Sequence, residues 1–282
     1  MKKIIITILL ISLRFSATVC EEELSSGEDL AVESEILDDG KEEQILEKAE
    51  NEKVSLGNNV NSFRIEGTVL KEYTGTDRRV IIPDTVTEIA PKAFSGCKEV
   101  ESVVIPDSVE TIGIYAFGHC TELKEVIIGN KVKTLGKGCF ENTGLTSVVI
   151  PESVETIGIR AFWGCTKLSA VTLNSGLLTI GLSAFHGCGL ISSIVIPSSV
   201  VEIRNRAFED CTALKIIYVP ESVKMLGYDI FYNTDNITIY GVAGSEAEDY
   251  AKQYSILFVN GRIPETNPID EGWKQDKTGW WY

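Results

Sequence analysis

A pattern of 23 residues repeats along the chain from Val80 to Ile239. Its most regular mark is one phenylalanine in each of seven units: Phe94, Phe117, Phe140, Phe162, Phe185, Phe208 and Phe231. Every spacing between them is 23 residues except one of 22, from Phe140 to Phe162. Self-similarity at a fixed period of about 20 to 50 residues is typical of solenoids, propellers and arrays. The sequence therefore predicts seven stacked copies of one small unit.

Each unit carries apolar residues at the same seven positions when it is numbered from its first residue. In the second unit they are Val103, Ile105, Val109, Ile112, Ala116, Phe117 and Leu123. Positions 1 and 3 alternate as in a short strand, a proline at position 4 of five units ends that strand, and a glycine at position 11 of five units is expected to let the chain turn. A short helical or 3₁₀ turn is expected near the Ala-Phe pair. Stacked neighbours can bury this apolar set, which predicts a parallel sheet on one face and a phenylalanine spine.

The net charge of −15 is concentrated near the N-terminus. Residues 21–60 hold fourteen acidic residues, three lysines and no aromatic residue. This composition predicts a disordered, solvated spacer, with a helix at Ile36–Ala49 and calcium binding left open. A chain without basic patches is not expected to bind nucleic acid, whose phosphates require lysine and arginine.

The first twenty residues have the pattern of an export signal. Lys2 and Lys3 precede the apolar run Ile4–Leu13, and small residues follow at 16–18. The run is too short to span a bilayer, so cleavage near Cys20 is expected. A lipidated Cys20 is the alternative. Either way, the mature protein is predicted to lie outside the cytoplasm.

The repeated unit, for example "VVIPESVETIGIRAFWGCTKLSA" (Val148–Ala170), resembles the BspA-like class of leucine-rich repeat. The resemblance covers residues 63 to about 260. It implies a repeat solenoid that is mainly β, with an opening strand pair in Phe63–Val86 and an α/β-type C-terminal cap in Tyr240–Gly261. Within that cap, Ser245 and Glu248 fit a capping box. One apolar helical face is expected from Ala247, Tyr250, Ala251 and Tyr254.

The predicted organisation has seven parts. They are a signal peptide at 1–20, an acidic spacer at 21–60, an N-terminal β cap at 61–79, seven repeats at 80–239, a C-terminal cap at 240–261, a linker at 262–271 and a partial cell-wall-binding repeat at 272–282. The third unit is one residue short and carries Cys139-Phe140 in place of Ala-Phe, which predicts a local kink.

Six cysteines remain after the predicted cleavage, an even number that permits disulfides. Five of them share position 18: Cys97, Cys120, Cys165, Cys188 and Cys211. Successive ones would lie about 5 Å apart, which does not forbid bridges, but side chains in a parallel stack point the same way. Thr143 and Thr234 occupy the same position, which favours buried thiols, and their oxidation state stays open. A zinc site needs ligands that converge, and a ladder does not converge.

The two histidines, His119 and His186, fall at positions 17 and 16. We expect them to be exposed loop residues without a carboxylate or serine set around them. The sequence therefore predicts no catalytic, cofactor-binding or metal-binding residue.

Outward-facing strand positions are the candidates for binding a partner. If positions 1 and 3 point inward, position 2 points outward, and its residues are Ile81, Val104, Ile127, Val149, Thr172, Val195 and Tyr218. We call these seven residues the outer stripe. An exposed apolar row of this kind is typical of a docking surface, although valine and isoleucine also simply favour strands. Members of the resembled family are commonly surface adhesins, which implies a protein on a host or neighbouring cell as the partner.

The C-terminal stretch "GWKQDKTGWWY" (Gly272–Tyr282) resembles the start of a choline-binding, cell-wall-binding repeat. Four aromatic residues match that motif: Trp273, Trp280, Trp281 and Tyr282. The resemblance implies cation–π contacts to a quaternary amine of cell-wall choline, or binding of wall polysaccharide. It also leads us to expect a longer form that continues into a wall anchor. An aromatic tail without a role is the alternative.

Together these features predict a non-enzymatic, secreted binding or adhesion module at a bacterial cell surface or wall. A targeting or spacer arm of a wall-associated enzyme is the second hypothesis, and a purely structural chain is the third.

Overall fold

The structure is a computed structural model that describes residues 62–263 and the backbone of residues 274–276 and 279–281. The predicted signal peptide, the acidic spacer and most of the predicted linker lie outside the described residues.

The described residues form short strands and one helix. In chain order they are β1 (Phe63–Glu66), β2 (Val69–Tyr73), β3 (Arg79–Ile81), β4 (Glu88–Ile89), β5 (Ser102–Val104), β6 (Thr111–Ile112), β7 (Glu125–Ile127), β8 (Thr134–Leu135), β9 (Ser147–Ile150), β10 (Thr156–Ile157), β11 (Ala170–Leu173), β12 (Thr179–Ile180), β13 (Ser193–Val195), β14 (Glu202–Ile203), β15 (Ile216–Tyr218), β16 (Met225–Leu226), β17 (Thr238–Gly241), α1 (Glu246–Gln253), β18 (Leu257–Asn260), β19 (Lys274–Asp276) and β20 (Gly279–Trp281). The predicted class, a mainly β repeat solenoid with parallel strands and very little helix, is confirmed.

One side of the solenoid is a single sheet of nine strands, in the order β1-β2-β4-β6-β8-β10-β12-β14-β16. We call it the short-strand sheet, because each repeat adds only two residues to it, at positions 9 and 10. The β1–β2 pair is antiparallel, and the pairs that follow are parallel, so that Ile157 lies between Leu135 and Ile180. The sequence prediction placed a sheet on one face only and missed this one, since a two-residue alternation is too short to recognise as a strand.

The predicted strands at positions 23 to 2 form a second row, which we call the long-strand row. It consists of three ladders, β3-β5-β7, β9-β11 and β13-β15-β17-β18. The first interruption, between β7 and β9, directly follows the segment in which the third unit lacks a residue, where a kink was predicted. Thr146 still donates a backbone hydrogen bond to the Lys124 carbonyl there, at 3.1 Å. The second interruption, between β11 and β13, has no counterpart in unit length.

The phenylalanine spine is present in the interior. Ring centroids of successive phenylalanines lie between 4.7 Å and 6.0 Å apart, with the rings stacked. Tyr73 stacks on Phe94 at the N-terminal end, and Tyr250 meets Phe231 edge-on, at 84°. The spine therefore ends in a tyrosine on both sides.

The connection at the Ala-Phe pair is a double reverse turn, and not the short helix or 3₁₀ turn that was predicted. Positions 13 and 17 have positive φ, as at Tyr115 (53°) and His119 (63°) in the second unit. A left-handed residue cannot continue a right-handed helix. The backbone groups bond instead to the next unit, as Phe117 N–H does to the Cys139 carbonyl at 2.8 Å.

Glycine at position 11 serves close packing. A Cβ added to Gly158 would lie only 2.4 Å from the carbonyl oxygen of Leu135 in the preceding unit. The predicted turn does begin here, since Ala161 N–H donates to the Gly158 carbonyl at 3.2 Å, but the φ of Gly158 is not among the positive values, so the turn itself does not require glycine. The missing side chain lets neighbouring coils approach.

The C-terminal cap is built on α1, whose buried residues are Ala247, Tyr250 and Ala251 on the predicted apolar face. The predicted capping box forms only in part. Glu248 accepts a hydrogen bond from the Gly244 backbone N–H at 2.7 Å, whereas the N-cap Ser245 makes no side-chain capping bond. Three acidic residues in the first turn favour the helix through its dipole.

Candidate partner-binding surface

The residues of the outer stripe all face away from the interior, as predicted. Val149 is 58% exposed, Val195 43%, Ile81 40% and Ile127 38%, and the other three are half-buried. Strand register aligns Ile81, Val104 and Ile127 in the first ladder. The register does the same for Val149 with Thr172 and for Val195 with Tyr218. The structure thus forms one surface from side chains that are about 23 residues apart in sequence.

The stripe continues into the C-terminal cap, which the sequence prediction did not include. Tyr218 is paired with Tyr240 on β17, and Tyr240 with Val259 on β18. Both added residues are half-buried on the same face. The prediction missed Tyr240 because the seventh coil is one residue shorter in the structure than in the sequence numbering: Tyr240 pairs with Tyr218, which is only 22 residues away.

The column beside the stripe changes character along the solenoid. Its middle is small, with Ser147, Ala170 and Ser193, whereas its C-terminal end carries Ile216, Thr238 and the exposed Leu257. The N-terminal end is polar, with Arg79, Ser102 and Glu125. One residue earlier in each coil, Glu101 pairs with Arg78 and with Lys124, the latter at 3.5 Å.

The electrostatics of this N-terminal end are set mainly by one pair. The hydrogen bond from Arg78 holds the pKa of Glu101 below its usual value. The apolar and aromatic part of the surface therefore lies toward the C-terminal cap, away from these charges.

The cysteines among the described residues are all free thiols, and five of the six are buried. Each fully buried thiol of the ladder donates a hydrogen bond to a phenylalanine carbonyl of an earlier unit, as Cys188 does to Phe162 at 3.2 Å. Thr234 donates its hydroxyl to the Phe208 carbonyl in the same way, also at 3.2 Å. Position 18 is therefore a slot for a small donor, which explains why threonine replaces cysteine there.

Burial makes most of these thiols poor nucleophiles. Loss of hydration raises the pKa of Cys165 to about 11 and that of Cys211 to about 12. Since the thiolate is the reactive form, these side chains are built for packing. Cys97 differs, because its interaction with the neighbouring Cys120 thiol lowers its pKa and its side chain is only half-buried.

His119 is exposed as expected, with Asn142 Nδ2 3.3 Å from its Nδ1. For His186 the expectation was wrong. Its side chain is only 21% exposed, and its Nδ1 lies 3.0 Å from Glu209 Oε2 while its Nε2 lies 3.4 Å from Asp210 Oδ2. Its ring is stacked on Trp163 with centroids 5.4 Å apart.

We call Trp163, His186, Glu209 and Asp210 the corner cluster. The first three share position 16 of successive units, and Asp210 follows at position 17. An alignment of the units at position 16 would have predicted that these side chains are neighbours in the stack. The prediction considered each histidine alone and so missed the cluster.

A polar groove of about 360 Å³ lies beside the short third unit. Gly144 and Gly164 leave it open, and its walls include Glu122, Asn142 and Lys167. The groove coincides with the segment in which one residue is missing, so the shortened unit opens a depression between neighbouring coils.

The predicted cell-wall-binding residues lie at the edge of what the structure describes. β19 and β20 form an antiparallel hairpin in which Lys274 is opposite Trp281 and Gln275 is opposite Trp280. Trp273 and Tyr282 lie outside the described residues. Within the described part of the chain, no helix has the length and hydropathy needed to cross a membrane.

Comparison with solved structures finds leucine-rich repeat proteins. The chain is 29% identical to the Treponema pallidum leucine-rich repeat protein over 65% of this chain and 81% of that one, with a TM-score of 0.49. It is 24% identical to a leucine-rich repeat protein of Bacteroides ovatus over 62% of this chain and 58% of that one, with a TM-score of 0.47. It is 18% identical to a leucine-rich cell surface protein of Faecalibacterium prausnitzii over 71% of this chain and 96% of that one, with a TM-score of 0.30.

A comparison with curated protein sequences gives no significant match. The family comparison is decisive. Six copies of the BspA type leucine-rich repeat region match residues 70–144 and 133–248. Since these matches cover more than half of the chain, the protein belongs to the BspA-type leucine-rich repeat family.

Proposed function

We propose that this protein binds a partner protein at a bacterial surface through the outer stripe and its extension onto the C-terminal cap. The observation that carries the proposal is the row of outward aliphatic side chains, of which Val149 is the most exposed. Water contact with such groups costs about 25 cal/mol for each Å². A partner that covers the row recovers that free energy.

The short-strand sheet provides an internal control against the simpler explanation. Its outward column, position 9, is occupied mainly by threonine: Thr111, Thr134, Thr156 and Thr179. Threonine is β-branched and satisfies the same strand preference as valine. Strand preference alone therefore does not require aliphatic residues at position 2, and their presence there supports a docking role.

The C-terminal part of the surface is the best anchor for a partner. Val195, Tyr218 and Tyr240 adjoin one another in register, and tyrosine is enriched among the residues that dominate binding energies at interfaces. The charges at the opposite end contribute less, because exposed ion pairs are screened by salt.

The family supports this assignment. BspA-type leucine-rich repeat proteins are bacterial surface proteins, and leucine-rich repeat proteins are generally non-enzymatic binding modules. Export of this chain by its N-terminal segment, and an extracellular host or neighbouring-cell protein as the partner, belong to the proposal.

The test is a binding assay of the full chain on an immobilised panel of host extracellular-matrix proteins. Wild type is compared with Val149→Lys/Val195→Lys on the stripe and with Thr134→Lys/Thr179→Lys on the short-strand sheet. Each double variant adds two positive charges two units apart, so net charge and spacing are matched.

We expect wild type and the threonine variant to capture the same panel member and the valine variant to lose it. Equal capture by all three proteins, or no capture by wild type, would contradict the proposal.

We infer a second, separate role in wall attachment for the C-terminal hairpin. Its antiparallel backbone, with Trp281 opposite Lys274, is consistent with the hairpin unit that the sequence resembles. The aromatic rings of Trp273, Trp280, Trp281 and Tyr282 would hold a choline ammonium by cation–π contacts. Retention of the full chain on a choline resin, reversed by free choline and lost in Trp280→Ala/Trp281→Ala, is expected. Retention unchanged in that variant would contradict this role.

A further inference from the structure

We propose that the corner cluster binds one divalent transition-metal ion, with His186, Glu209 and Asp210 as the ligands and Zn²⁺ as the best match. One imidazole nitrogen and one oxygen from each carboxylate lie within 4.8 Å of one another. The three residues come from the turn segments of two successive units, so the stacking of the coils forms the site.

The distances suit an ion that binds nitrogen and oxygen. Zinc bonds to these atoms are about 2.0–2.2 Å long, which places adjacent ligand atoms about 3.0–3.5 Å apart. His186 Nδ1 and Glu209 Oε2 are already 3.0 Å apart. Asp210 Oδ2 lies 3.4 Å from the other ring nitrogen, Nε2, so the Asp210 side chain must turn toward Nδ1 to complete a three-ligand set, which leaves open positions for water.

The imidazole lacks a partner that an ion would supply. His186 Nδ1 is inaccessible to solvent and has no hydrogen-bond partner among residues 62–263. Its short contact with Glu209 is an ion-pair distance without hydrogen-bond geometry. Buried polar atoms are rarely left in this state, and a cation between the nitrogen and the carboxylate would satisfy both.

Neighbouring residues orient the ligands, as they do around metal sites in general. Asp210 Oδ1 accepts a hydrogen bond from Asn233 Nδ2 at 2.6 Å, so Oδ2 is the oxygen of this carboxylate that is available to an ion. The Trp163 ring lies parallel to the imidazole, with an angle of 3° between their planes. The guanidinium of Arg160 lies 4.9 Å from the centroid of that indole.

The local charge also favours a cation. Glu209 and Asp210 supply two negative charges, and Arg206, which is 4.0 Å from Glu209, is itself shared with Asp229 at 3.9 Å. Imidazole together with carboxylate suits Zn²⁺, Cu²⁺ and Ni²⁺, whereas Mg²⁺ and Ca²⁺ prefer oxygen alone. An imidazolium held between the two carboxylates is the competing arrangement, and it requires no metal.

The experiment is a calorimetric titration of Zn²⁺ into the full chain near pH 7.5, with Mg²⁺ as the comparison ion. The chain offers a matched control, because it has only two histidines and His119 is exposed, away from the cluster. We expect one Zn²⁺ site that is weakened about tenfold or more by His186→Ala and by Asp210→Asn. His119→Ala is expected to bind like wild type.

A second readout comes from Trp163. Cu²⁺ bound at His186 would quench the stacked indole, so Cu²⁺ should quench wild type more strongly than Trp163→Phe. Circular dichroism of each variant checks its fold, and Asp210→Asn decides the question if His186→Ala does not fold. The proposal fails if Zn²⁺ gives no site, if neither His186→Ala nor Asp210→Asn weakens it, or if His119→Ala weakens it equally.

Discussion

The short-strand sheet and the long-strand row are built from the same seven units, yet only the sheet is one continuous ladder. The sheet follows a segment of constant length, since positions 1 to 15 are present in every unit. The long-strand row follows positions 16 to 22, in which the third unit loses a residue. The interruption between β7 and β9 coincides with this shorter unit, whereas the interruption between β11 and β13 falls at a unit of full length.

The two regions also differ in what they present to solvent. Threonine dominates the outward column of the sheet, whereas valine and isoleucine dominate that of the long-strand row. We interpret the continuous, polar sheet as the part that holds the coils together, whereas the interrupted, apolar row carries the candidate binding surface. Variation in length, the polar groove and the corner cluster all fall in the segment that leads into the row.

The largest expected effect comes from removing the interior that both regions share. Phe162 is fully buried, between Phe140 at 5.4 Å and Phe185 at 5.2 Å. Phe162→Ala should lower the free energy of unfolding by about 3–5 kcal/mol, measured by urea denaturation. Tyr232→Ala, at a residue that is 62% exposed, is the control and should change it by less than about 0.5 kcal/mol. Similar losses in the two variants would remove the distinction between spine and surface.

A matched pair of leucines compares the two regions directly. Leu135 on β8 of the sheet is fully buried, whereas Leu173 on β11 of the row is only partly buried. Leu135→Ala should cost about 2–5 kcal/mol, and Leu173→Ala clearly less, because fewer buried contacts are lost. Urea denaturation of both variants measures the difference. An equal or larger cost at Leu173 would show that the row is as much a framework as the sheet.

The buried thiols, which lie in the segment leading into the row, predict a loss of stability in alkali. Burial raises the pKa of Cys165 to about 11 and of Cys211 to about 12, from 9.0. Below about pH 9 both states keep these protons. As the pH rises further, the unfolded chain loses them first, so the free energy of unfolding falls by up to about 1.4 kcal/mol per pH unit for each thiol. Urea denaturation between pH 8 and 11 should show this slope.

Two single variants test whether the buried thiols cause the fall in the free energy of unfolding with rising pH. Cys211→Ala should flatten it, because one raised pKa is removed. Thr234→Ala should not, since Thr234 occupies the same position of another unit and carries no proton that titrates in this range. A slope that is unaffected by Cys211→Ala would mean that other groups cause the alkaline loss.

The smallest expected effect is on the outer faces. Val149→Lys/Val195→Lys and Thr134→Lys/Thr179→Lys should each stay within about 0.5 kcal/mol of wild type per substitution, because these side chains face solvent. Thermal or urea denaturation checks this. A large loss for the valine variant alone would mean that the outer stripe contributes to the fold, and its loss of binding would then need a different explanation.

Much of the fold could be predicted from periodicity. The inward positions, the phenylalanine spine and the outward direction of the stripe all follow from alternation and a fixed repeat length. The sheet of two-residue strands could not be predicted, because Thr156-Ile157 and its equivalents are too short to show a pattern. The left-handed turns were missed because residues such as Tyr115 and Arg160 rarely adopt positive φ.

By itself, the sequence determined the solenoid, since a single coil cannot bury its apolar residues and identical neighbours can. Only the tertiary structure decided which distant side chains meet. It extended the stripe to Tyr240 and Val259, made position 11 a site of close backbone approach, and placed His186 against Glu209 and Asp210. These contacts depend on the register between coils and on backbone angles at the turns, and such quantities are fixed by packing across units rather than by the residues of any one unit.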